Sequence, residues 1–160
     1  MCRSLFLDKQ KSQWLSTIQI KPKLRFYKLF KDSFTVEKYL SINLSSSERS
    51  LLAQIRLGIL PLHIETGRFN NIDRDERLCK ICNNGEIEDE LHFLFNCSTY
   101  EAEREFWLDN ALNYCPHLHY LELNDQLKFL FSELPRSTAK FIKKCVMIRK
   151  EILYSDVCTQ

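Results

Sequence analysis

Cys79, Cys82, His92 and Cys97 lie in the string CKICNNGEIEDELHFLFNC with the spacing C-x2-C-x9-H-x4-C. Three thiolates and one imidazole are a complete tetrahedral donor set for Zn²⁺, with no position left for water or substrate. A set closed in this way supports folding and performs no chemistry of its own. The CxxC pair needs a tight turn if both sulfurs are to face one point. His92 and Cys97 stand five residues apart, about one and a half helical turns, so both can reach that point from a helix end. A lone CxxC is a weak signal; CxxC followed by His and Cys within 19 residues is a far narrower pattern.

Each ligand also has an ordinary reading. Cysteine is often a small buried apolar residue, and His92 in the run LHFLF reads as a core histidine. The string CPHLHY, with His117 and His119, offers a substitute for the fourth ligand. A catalytic zinc would need His92 turned away from the metal, with Glu88, Asp89 or Glu90 as base. A disulfide framework fits less well. The seven cysteines are an odd number, and MCRSLFLDKQ lacks the apolar h-region of a secretory leader. The expectation is an intracellular protein, nuclear or cytoplasmic and not secreted, in which thiols take metal rather than form disulfides. No apolar run approaches the roughly 20 residues that span a bilayer, so no membrane partner is expected, and no small-molecule substrate either.

The elements that must hold these ligands are expected to be helices. The 160 residues contain only three glycines and four prolines, too few for a sandwich of many tight turns. The fold class expected is mainly α: a small helical domain with a zinc-stapled CCHC loop-helix unit. Four segments divide it: residues 1–45, basic and aromatic; 46–72, a helix and an extended connector; 73–114, the zinc-binding unit; and 115–160, C-terminal helices. Residues 4–18 form a modest amphipathic pattern that Pro22 ends. Thr35 can cap a short helix over VEKYLSI. Ser45 to Glu48 and Ser98 to Glu101 both match the capping box S-x-x-E. ILPLHIETGRFNNIDRDERL reads as extended, and EDELHFLFNC as a helix with an acidic start. Phe106, Leu108, Ala111 and Leu112 are assigned to a core, as is the stripe Phe141, Cys145, Ile148 and Ile152.

Charge is uneven. Residues 1–40 carry a net +6 and residues 73–110 a net −7, although the whole chain is only +2. Phosphate binding needs positive charge, so the metal loop is the poorer surface for a nucleic acid. KPKLRFYKLFK is the better one: Lys21, Lys23, Arg25, Lys28 and Lys31 alternate with Phe26 and Tyr27, a pattern that suits backbone neutralisation with base stacking. The competing reading is a solvated cationic face over a core stripe of Leu24, Tyr27 and Leu29.

The run from Arg49 to Arg104 resembles the C-terminal zinc-binding (CCHC) region of non-LTR, LINE-type and jockey-like, retrotransposon reverse transcriptase polyproteins. The likeness extends over about residues 20–105 and is most specific at RLG (56–58), ETGRF (65–69), RLCKIC (77–82) and EDELHFLFNC (88–97), followed by Tyr100 and Arg104. It implies that Cys79, Cys82, His92 and Cys97 are the metal ligands. It also implies a region that follows the reverse transcriptase domain and helps hold RNA or DNA in target-primed reverse transcription. The chain contains no Asp-Asp pair, and polymerase chemistry needs carboxylates that hold two divalent ions. The expected function is therefore non-catalytic: a structural Zn²⁺ module with RNA or DNA and the reverse transcriptase domain of the same element as partners. The alternative is a structural or protein-interaction module, such as a degenerate element fragment, without nucleic-acid binding.

Overall fold

Ser45 and Glu48 form the capping box that their spacing signals. The Ser45 hydroxyl accepts the Glu48 backbone N–H, and the Glu48 carboxylate accepts the N–H of Ser45. The helix they launch, Ser46–Arg56, buries Leu52, Ile55 and Arg56. This computed structural model describes the backbone of residues 2–157 and the side chains of residues 5–155. Its six α-helices are α1 (Cys2–Ile20), α2 (Ser46–Arg56), α3 (His63–Phe69), α4 (Glu101–Leu112), α5 (Leu123–Ser132) and α6 (Pro135–Val157). Among the described residues there is no strand, only one antiparallel bridge between Leu78 and Ile87. Among the described residues no helix is long and apolar enough to cross a membrane.

The long helix α6 is the organising element, packing on α2, α4 and α5. Pro135 opens it, as its fixed φ suits a first helical position. Trp107 of α4 stacks on Phe141 of α6 with ring centroids 4.3 Å apart, and its indole N–H donates to the buried Thr138 hydroxyl. One hydrophobic core takes residues from all four sequence segments, Phe26, Ile55, Phe93 and Leu130 among them.

The basic and aromatic segment contains two 3-10 turns, Pro22–Leu24 and Tyr27–Leu29. Several local expectations are corrected. Thr35 caps no helix; a 3-10 turn spans Lys38–Ser41. The stretch read as extended contains α3, whose His63, Ile64, Glu65 and Gly67 are buried. Ser98 belongs to a 3-10 turn, and α4 starts after Tyr100 with no side-chain cap. Phe106 is 77% exposed, and Trp107 takes the core position instead. Leu108, Ala111 and Leu112 keep the expected side, buried or packed against the core, and Trp107, four residues before Ala111, extends that same face.

Arg56 is the most unusual core residue. Only 2% exposed, it lies over the rings of Phe30, Tyr39, Tyr27 and Phe131 at 4.6–5.8 Å and donates to Glu37. Glu37 also accepts Lys31 and the Tyr27 hydroxyl. Burial draws the Glu37 carboxyl up, but Arg56, Lys31 and Tyr27 together outweigh it and hold it below its ordinary value. A carboxyl depressed in the fold stabilises above its unfolded pKa and loses that contribution as pH falls through the lower folded value. Glu37→Gln should therefore flatten the loss of melting temperature below about pH 4.5, the ordinary carboxyl value, as a pH series of thermal melts will read.

Gly58, just beyond α2, has φ +64°, and a Cβ there would stand 2.5 Å from the Lys23 carbonyl oxygen. Gly58→Ala should lower the unfolding free energy by about 1–3 kcal/mol in urea titration.

Candidate metal centre

A knuckle presents the first two sulfurs. Cys79 N–H donates to Glu86 O at 2.7 Å and Glu88 N–H to Arg77 O at 3.0 Å, clamping the two arms on either side of the Leu78–Ile87 bridge. Between the arms the chain reverses through Asn83 (φ +55°) and Gly85 (φ +74°), residue types that tolerate positive φ. The backbone N–H groups of Ile81 and Cys82 hydrogen-bond to Cys79 and favour its thiolate form.

A π-helical turn, His92–Asn96, presents the other two ligands. Asp89 starts it by accepting the His92 N–H at 2.9 Å, and the Cys97 N–H closes it on His92 O at 2.8 Å. The sequence suggests an α-helix here. The wider π turn brings His92 and Cys97, five residues apart, onto one side. Arg104 of α4 braces the turn by donating to the carbonyls of Leu94 and Cys97. Tyr100 packs edge-on against Phe93 with centroids 5.2 Å apart.

The four ligand atoms of Cys79, Cys82, His92 and Cys97 all lie within 4.8 Å of one another, so the cluster can hold a metal ion. Cys79, His92 and Cys97 are buried and Cys82 is half-buried. The Nε2 atom of His92 faces the thiols, 3.4 Å from Cys82 Sγ. Nδ1 donates to the Glu86 carboxylate at 2.6 Å. A carboxylate behind a ligating histidine fixes its tautomer and ring orientation and raises its basicity, the arrangement found around metal-bound imidazoles. Contact with Cys97, reinforced by burial, pushes the Cys79 thiol up to about 12, while the same contact draws Cys97 down. Contact with Cys79, aided by Glu86 and opposed by burial, raises His92 to about 9. The donors thus hold protons that a metal must displace.

Of the acidic residues between the ligands, Glu88 and Glu90 are turned inward. Glu88 accepts both Nε and Nη2 of Arg149 (2.8 and 3.0 Å) and the backbone N–H of His63 at 2.6 Å. Glu90 takes two bonds from Arg25, at 2.6 and 3.1 Å. Neither is placed to act as a base at the cluster. Arg149 thereby joins α6 to the knuckle. His117 lies by Cys115, with Nε2 3.7 Å from Sγ, outside the four-residue cluster.

The residues assigned from sequence to nucleic-acid contact are not gathered into one stacking surface. Phe26 is 1% exposed and belongs to the core, so it cannot stack on a base. Tyr27 is half-buried and donates to Glu37. Lys23, Arg25 and Lys31 are ion-paired with Glu65, Glu90 and Glu37. Lys21 and Lys28 remain exposed without an ion pair. An aromatic beside a lysine in sequence turned into the core because 3-10 turns send adjacent side chains to different sides. Sequence reasoning missed the roles of Glu86 and Arg149, and had Arg104 only as part of the resemblance; for Glu86 the hint was an acid shortly before the ligand histidine, and a weak one.

No protein-family model matches the chain, and no curated protein or solved structure matches it either.

Glu86→Gln should weaken metal affinity about 10- to 100-fold with the fold retained, because the Glu86 side chain is half exposed; chelator competition will measure it. The same titration should show affinity rising with pH toward about 9, as His92 gives up its proton. Arg149→Ala leaves the buried Glu88 carboxylate without its counter-charge and should cost about 3–5 kcal/mol in chemical denaturation.

Proposed function

We propose that the chain is a non-catalytic module in which Zn²⁺, held by Cys79, Cys82, His92 and Cys97, staples a helical domain that serves a non-LTR reverse transcriptase polyprotein. The observation that carries the metal reading is the convergence of three thiols and the His92 Nε2 inside 4.8 Å, with Glu86 oriented behind the ring. A sulfur-rich tetrahedral set selects zinc over harder ions. With four protein ligands, zinc here shapes the fold rather than activating water.

The polyprotein reading rests on the sequence resemblance, and the structure supplies a physical reason for its characteristic residues. Gly58 of RLG allows the close approach to Lys23 O, and Gly67 of ETGRF lies where a Cβ would meet Arg77 Cγ at 2.8 Å. Arg77 of RLCKIC donates to Ile72 O and Ile64 O, both at 2.9 Å. Arg104 braces the ligand-bearing turn. In this reading the module follows the reverse transcriptase domain, assists RNA or DNA binding during target-primed reverse transcription, and works in the nucleus or cytoplasm, where thiols stay reduced.

A second reading, a protein-interaction module without nucleic-acid binding, draws on α1. Leu5, Phe6, Leu7 and Ile20 are exposed on it, and Ile18 is buried.

Purified protein should contain one zinc per chain, and chelation should lower its melting temperature sharply, since structural zinc contributes on the order of 10 kcal/mol of binding energy to folding. Because Arg149 ties α6 to Glu88, hydrogen exchange after Cys97→Ser should accelerate in residues 75–105 and also in α6. Binding to single-stranded RNA that weakens steeply with salt supports the first reading; binding that is absent at low salt leaves the second.

A further inference from the structure

One cavity concentrates positive charge. It encloses about 290 Å³ between the 3-10 turn at Pro22–Leu24, the end of α3 and residues 74–77. Lys23, Arg25, Lys28, Arg68, Arg74 and Arg77 line it, with Glu65 as the acid in the wall. Glu65 is buried and accepts both Lys23 and Arg68 at 2.9 Å. Arg25 is held by Glu90, outside the cavity. Arg77 gives its N–H groups to two backbone carbonyls, which fix its guanidinium without neutralising it. The Lys28 and Arg74 side chains are exposed and, among the described residues, have neither an ion pair nor a hydrogen-bonded partner. Six cations against Glu65 and Glu90 leave an excess of four positive charges. Asp73, Asp75 and Glu76 adjoin Arg74 in sequence, yet none of them lines the cavity.

Like charges gathered in a cleft with low-dielectric walls focus their field on whatever enters. Guanidinium forks match phosphate oxygens. We propose that this cavity binds backbone phosphate of a single-stranded nucleic acid. Lys28 and Arg74 contact the phosphate oxygens, and Arg77 and Arg25 supply fixed positive charge behind them. The inference rests on the nucleic-acid reading above and gives it a location different from the stacking surface that the sequence suggested.

The test uses the full zinc-loaded chain and a fluorescein-labelled single-stranded RNA of about 20 nucleotides, longer than one binding site. Anisotropy is followed across a salt series for the wild type, the double variant Lys28→Ala with Arg74→Ala, and a control pair on α6, Lys140→Ala with Lys143→Ala. Zinc content and circular dichroism establish that each variant is folded, which is expected because the two side chains removed are exposed and unbonded. The cavity pair should bind more weakly, with a log–log salt slope shallower by about 1.4, at roughly 0.7 per phosphate contact. The control should keep the wild-type slope, and the pair Lys28→Ala with Arg74→Lys should recover about half of the loss, one of the two contacts. A wild type that binds RNA with an unchanged slope in the cavity pair overturns the cavity and leaves the nucleic-acid reading intact. A wild type with no salt-dependent binding overturns both. Calorimetric binding of inorganic pyrophosphate without RNA binding overturns the strand as occupant.

Discussion

Three sulfurs and an imidazole nitrogen lie within 4.8 Å of one another, close enough that thiolates there would repel unless a cation lay among them, and the middle of the molecule is arranged to bring these four donors to one point. Two backbone devices do this. A hairpin-like knuckle clamped by the bonds of Cys79 and Glu88 aims one pair, and a π-helical turn between His92 and Asn96 aims the other. The two devices are held by elements far away in sequence. Arg104 of α4 grips the carbonyls of the π turn, and Arg149 of α6 grips Glu88 in the knuckle. The geometry of the ligands is therefore a property of the packed helices as much as of the loop that carries them.

Buried and half-buried carboxylates provide the second layer of order. Glu37, Glu65, Glu88 and Glu90 each meet at least one cation from another part of the chain. A buried ion pair is weak evidence for net stability, because desolvation offsets much of the attraction. Its value here is positional. An unpaired Glu88 or Glu90 inside the fold would be strongly unfavourable, so only the arrangement that brings Arg149 and Arg25 alongside is allowed. Arg56 plays the converse part, a buried cation enclosed by four aromatic rings and closed by Glu37. These pairs lock the basic N-terminal turns, α2, the knuckle and α6 into one core.

The same pairing changes the meaning of the charge distribution. Counted along the chain, the metal loop is acidic and the N-terminus basic. In the fold, Glu88 and Glu90 face inward, while Arg74 and Arg77 from the acidic segment join Lys23, Arg25 and Lys28 from the basic one around a single cavity. A charge count by segment records what a stretch contains; what it shows to solvent depends on which acids find partners inside.

Short-range chemistry was legible in the residues themselves. The ligand set follows from donor type and spacing, and the start of α2 from a serine and a glutamate that bond each other within one turn. The stripe Phe141, Cys145, Ile148 and Ile152 follows from the helical period, since side chains three and four apart share a face whatever lies opposite. Helical content over strands followed from the scarcity of turn residues. The tertiary structure alone decided that α3 is a helix, that Trp107 rather than Phe106 enters the core, that Phe26 is buried, and that Arg149 and Glu86 support the ligand cluster. Phe26, Trp107, α3 and Arg149 each meet a partner about two dozen or more residues away, and Glu86, close to His92 in sequence, reaches the ring only because the knuckle folds back on the π turn; local spacing holds no information about either.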